Sequence, residues 1–94
     1  MLCVKLFNQT YEIQFVPRER LPDDHGECED PDSSQYEIPK IRIRDDLSEQ
    51  DTLITLIHEM AHGCDWRHLS EEWVSDMAEH IGRALFTLGY RRDS

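Results

Sequence analysis

Hydrophobic positions along the chain change their period from two to nearly four at about its midpoint. Residues 2–7 and 11–16 are short β-prone runs flanking Asn8-Gln9-Thr10, which predicts a hairpin with a three-residue loop. In the second run Tyr11, Ile13 and Phe15 alternate with Glu12 and Gln14, giving one buried and one wet face, and Pro17 ends it. A third strand is predicted over 36–44, where Ile41 and Ile43 alternate with Arg42 and Arg44 and Pro39 suits an edge position or a late strand start. An edge strand beside a cleft can hydrogen-bond an extended peptide.

The second half has helical spacing. A helix is predicted over 48–66, with Ser48 as N-cap and Asp51 at the capping-box position. Its buried arc is Leu53, Leu56, Ile57, Met60, Ala61 and Cys64, with Thr55, His58, His62 and Trp66 on the flank. A second helix is predicted over 70–89, capped by Ser70 and carrying Glu71 and Glu72 at the positive end of its dipole. Trp73, Val74, Met77, Ile81, Ala84, Leu85 and Leu88 form its apolar face, Gly89 stops it, and Arg83, Arg91 and Arg92 suit its negative end. So short a link between the helices implies an antiparallel pair. The expected architecture is α+β: one domain over 1–94, with a three-stranded sheet packed on a two-helix hairpin.

Composition narrows the function classes without choosing one. The 94 residues carry 10 basic and 20 acidic side chains, a formal charge of −10, which disfavours direct binding to nucleic acid or an anionic membrane. No apolar run approaches the roughly 20 residues that span a bilayer. Lys5 and the polar residues after Phe7 do not fit a secretory signal. Cys3, Cys28 and Cys64 are odd in number and unpaired in spacing, which points to a reducing compartment rather than a disulfide framework. Residues 17–35 read as an acidic loop, with Asp23, Asp24, Glu27, Glu29, Asp30 and Asp32 forming a solvated run. His25 and Cys28 lie three apart within it, a spacing better read as ordinary loop polarity than as a metal pair.

The chemistry lies in His58-Glu59-Met60-Ala61-His62, an H-E-x-x-H pattern inside the first predicted helix. Residues four apart share a helix face, so both imidazoles can reach one zinc ion at about 2.0–2.1 Å. Glu59, offset by one position, is placed as a general base rather than a ligand. A catalytic zinc needs a third protein ligand and one open position. Glu71 is the first choice, because Glu71, Ser75, Ala78 and Gly82 form a stripe of small residues that permits close helix approach. Glu72 shares a more solvated stripe with Asp76, Glu79 and Arg83. His68 gives a third histidine six residues after His62, the metzincin ligand spacing, but Asp65 stands where those enzymes have glycine.

The H-E-x-x-H helix followed by a Glu-bearing helix resembles the gluzincin type of zinc metallopeptidase. Glu71 matches the family's ligand, Ala78 its small residue seven on, and Ser75 stands where the family has an acid; Glu72 with Asp76 fits the Glu-x-x-x-acid part instead. A nearer similarity, over roughly residues 26–91, is to small uncharacterised metallopeptidases of phages and bacteria. It rests on Lys40-Ile41-Arg42-Ile43, on residues 51–59 leading into the motif, and on Asp65-Trp66, residues 70–74 and residues 88–91. The resemblance implies a zincin-like fold, a zinc ion, and proteolysis in the cytoplasm of a bacterium or phage-infected cell. Zinc held by His58, His62 and Glu71 would activate water, Glu59 would move the proton, and a peptide or protein would be the substrate. His80, Tyr90 and the arginines after it are the candidates for stabilising the oxyanion. The acidic surface favours basic peptide segments. Two rival readings are a non-catalytic zinc-stabilised interaction module, closed by Glu72 or His68, and a metal-free scaffold whose acidic loop binds a basic partner.

Overall fold

The computed structural model describes residues 1–65 and 68–91. Its class is α+β, with a four-stranded mixed sheet and two helices. Strands β1 (Leu2–Leu6) and β2 (Gln9–Val16) form the expected hairpin, paired in the register Leu6↔Gln9. That register leaves a two-residue turn, Phe7-Asn8, instead of three residues.

The region 17–35, expected as loop, contains a 3-10 turn at Arg18–Arg20 and a short strand β3 (Gly26–Cys28). Strand β4 (Lys40–Arg44) follows, and the sheet order is β1-β2-β4-β3. From β2 the chain passes to the far edge, forms β3, and turns back as β4 into the gap, parallel to β2 and antiparallel to β3. The sheet therefore has four strands rather than three, and the strand expected over 36–44 is interior rather than at the edge and starts late, at Lys40 directly after Pro39. The acidic run does part of the joining. Arg42 pairs with Glu27 at 2.7 Å and Glu29 at 3.4 Å, and the Lys40 backbone N–H donates to the Glu29 carboxylate at 2.7 Å. A segment read as wholly solvated thus binds β3 and its flank to β4.

Alternation sets the sheet's two faces. Tyr11, Ile13, Ile41 and Ile43 form the buried core, with Val4, Leu6, Phe15, Leu56 and Met60 packed against it. The opposite face carries Glu12, Arg42 and Glu27, tied by the Lys40–Glu12 and Arg42–Glu27 pairs.

Helix α1 (Glu49–Cys64) packs on the core side of the sheet, and α2 (Glu71–Thr87) packs on α1. Both caps form as the sequence predicts. Ser48 Oγ accepts from the Asp51 N–H and Ser70 Oγ from the Trp73 N–H, each at 3.1 Å. Gly89, at φ 98°, ends α2 in a left-handed turn in which its N–H donates to Phe86 O and the Tyr90 N–H to Leu85 O. Helix α1 lies between sheet and α2, so every residue from 52 to 63 is at least partly buried, Thr55 and Glu59 most among its polar ones. Cys64, placed on the buried arc, is exposed, and Trp66 lies outside the described residues.

The face of α2 follows the expected small stripe more closely than the expected apolar face. Its contact with α1 runs along Val74, Ala78 and Gly82, all buried. A Cβ on Gly82 would lie 2.5 Å from Ile54 Cγ1 and 2.9 Å from Ile54 Cα, so the two backbones meet there. The small stripe makes the contact, while Trp73, Ile81 and Leu88 are 53, 46 and 73% exposed. No helix among the described residues is long and apolar enough to cross a membrane.

Candidate metal centre

His58 and His62 stand one turn apart on α1, with ring centroids 5.0 Å apart. Glu71, in the first turn of α2, meets both. Its Oε1 is 2.8 Å from His58 Nε2 and its Oε2 is 2.7 Å from His62 Nε2. The sequence permits this because the Ser70 cap starts α2 one residue before Glu71, and because Ala78 and Gly82 let the helices close. Ser75 Oγ, one turn on, donates to Glu71 Oε1 at 3.5 Å, so a serine supports the carboxylate where the resemblance has an acid.

One ligand atom from each of the three residues lies within 4.8 Å of the others. Tetrahedral ligands about 2.0–2.1 Å from zinc are roughly 3.3 Å apart. The observed contacts of 2.7–2.8 Å need only a small opening, which the 68%-exposed Glu71 side chain can make. The residues fit a divalent ion, and two imidazoles with one carboxylate are a donor set that suits zinc. Of the other proposed ligands, Glu72 is exposed and His68 pairs with Asp65 at 2.9 Å; neither joins the group.

Glu59 is 8% exposed, and no described side chain or backbone group bonds its carboxylate. Burial, then the nearby charges of Glu71, Asp24 and Glu27, push its carboxyl up to about 7. It opens with the three candidate ligand residues into a cavity of about 450 Å³. Asp24, His25 and Gly26 form one wall, Ile54 and Thr55 the floor along α1, and Ser75 and Glu79 the side of α2. Gly26 allows that wall to close. A Cβ there would lie 2.7 Å from Thr55 Cγ2 and 3.0 Å from the Arg42 carbonyl oxygen.

Several sequence expectations fall outside the cavity. His80 and Tyr90 are exposed and do not line it. Arg91 pairs with Glu49 at 3.0 Å and caps the Phe86 carbonyl, joining the end of α2 to the start of α1. Arg92 lies outside the described residues. Conversely, sequence reasoning gave Asp24 and Gly26 no site role, because only the return of the chain as β3 brings them to α1. The outer edge beside the cavity belongs to β3. His25 O accepts from the Arg44 N–H, and Glu29 N–H donates to Lys40 O. By the alternation of an antiparallel ladder, Gly26 and Cys28 turn their backbone groups the other way, outward.

The chain matches no protein-family model, no curated protein and no solved structure.

Proposed function

We propose that this protein is a zinc-dependent hydrolase of peptide bonds, with a zincin-like arrangement of strand, motif helix and ligand helix. The observation that carries the reading is the convergence of His58, His62 and Glu71 beside an unpartnered, buried Glu59 at one open cavity. Three protein ligands leave a coordination position for chemistry, whereas structural zinc sites usually close with four. Among the described residues no fourth ligand joins the group.

His58 and His62 would hold zinc through the Nε2 atoms that now face Glu71. When bound, zinc supplies Lewis acidity, lowering the pKa of water towards about 7 and polarising a carbonyl oxygen. Glu59 would take the proton from the attacking water as the new C–O bond forms, and then return it to the amine nitrogen as the C–N bond breaks. The outward backbone groups of Gly26 and Cys28 offer an extended peptide a strand to pair with beside the cavity.

The test is Glu59→Gln. Zinc stoichiometry stays at about one per chain while peptide hydrolysis falls at least about a hundredfold, the scale of a lost general base. Equal turnover by the variant and the parent chain would sink the reading.

A further inference from the structure

The cavity wall is chemically one-sided. Its carboxylates are Asp24, Glu59, Glu71 and Glu79, and no lysine or arginine lines it. Glu71 is engaged by the two histidines and Glu79 by Arg83. Asp24, exposed on the opposite wall two residues before β3, has no hydrogen-bond or ion-pair partner among the described residues. Glu59, more than nine-tenths buried and facing the same space, has none either. Its carboxylate oxygens are not sealed away but open on the cavity, where an entering donor can meet them. Of the four formal negative charges, a divalent ion held by His58, His62 and Glu71 offsets two and Arg83, paired with Glu79, a third. The surplus stays negative, on a chain whose net charge is already −10.

We propose that the cavity recognises a cationic group on its peptide ligand, an ammonium or guanidinium, and that Asp24 is the residue that determines this specificity. The proposal rests on the hydrolase reading only where it concerns the bond cleaved; the binding preference stands on the cavity wall itself. Asp24 is suited to the task because it leads directly into the β3 edge. A peptide pairing with Gly26 and Cys28 therefore runs past its carboxylate. The cation has two possible sources, a lysine or arginine side chain or a free chain N-terminus, and the same measurement separates them.

The experiment uses the full chain loaded with zinc, with Glu59→Gln as a second form that binds without turnover. Four fluorescent hexapeptides serve as probes. Three are N-acetylated and differ only in lysine, norleucine or glutamate at one central position; the fourth is the norleucine peptide with a free N-terminus. Anisotropy titrations are expected to give the lysine peptide a Kd at least about tenfold below that of acetylated norleucine, a gap that narrows at high salt. In Asp24→Asn the gap shrinks to about threefold or less, with zinc stoichiometry and melting temperature unchanged. Tight binding of the free-amine norleucine peptide would assign the cation to the chain terminus. Failure of both the lysine peptide and the free-amine norleucine peptide to bind more tightly than acetylated norleucine, or an undiminished gap in Asp24→Asn, overturns the proposal. Selective binding without hydrolysis overturns the hydrolase reading and leaves the cation preference standing; hydrolysis without selectivity does the reverse.

Discussion

Phe7 occupies the hairpin turn at φ 56°, a left-handed conformation in which a Cβ crowds the following carbonyl, and its ring is 78% exposed. Little packing is lost by removing it, so relief of backbone strain decides the sign. Phe7→Asn should raise stability by about 1 kcal/mol in urea unfolding, because asparagine tolerates this region best among residues with a side chain. Cys28 shows the opposite situation, a residue set by its surroundings. Burial, then the charges of Glu59, Glu29 and Asp30, push its thiol up to about 12, while Cys3 and Cys64 are exposed. Iodoacetamide near neutral pH should therefore label the folded chain at Cys3 and Cys64, with Cys28 modified only after unfolding, as mass spectrometry would record. Between 9.0 and about 12 the folded chain keeps a proton that the unfolded chain has released, so Cys28 makes stability fall as pH rises through that window. Cys28→Ala should flatten that part of the pH profile. None of this was legible from the cysteine count, which speaks only to pairing.

Between the helices, magnitude decides the effect of Gly82→Ala. Helix propensity alone favours alanine by about 1 kcal/mol. The added Cβ, however, would meet Ile54 Cγ1 at 2.5 Å and its Cα at 2.9 Å, and backbone cannot step aside as a flexible side chain can. Overpacking typically costs about 1–3 kcal/mol, so the variant should be less stable on balance. Because Glu71 rides on the same helix, zinc affinity should fall too, which isothermal titration can measure. The helix caps and the small stripe were readable because they depend on residues within one or two turns. The exposed arc was not. Trp73, Ile81 and Leu88 have the spacing of a buried face, yet α1 takes the neighbouring face, where small side chains permit closer approach. In α1 the contiguous Leu53-Ile54-Thr55-Leu56-Ile57 run has its cause in position: a helix covered on two sides has no single polar face.

Across the molecule the candidate metal-site residues join the two helices, with His58 and His62 on α1 and Glu71 on α2. Zinc binding to the folded state alone should stabilise the chain by about 2.7 kcal/mol at free zinc 100 times Kd. The melting temperature should rise with zinc and fall back with chelator, and His58→Ala should abolish the difference. A melting temperature indifferent to chelator would favour the metal-free scaffold. The H-E-x-x-H spacing, both caps and the alternation in β2 and β4 follow from covalent geometry and the helix or strand repeat, so the chain alone determines them. The order β1-β2-β4-β3 does not follow from any local repeat. It depends on β3 reaching the far edge, Arg42 finding Glu27 and Glu29, and Gly26 closing on Thr55. Contacts so far apart in sequence form only when the packed state repays their loop-closure entropy. For that reason the paired histidines are visible in the sequence, while the wall that faces them, with Asp24 on it, exists only in the folded chain.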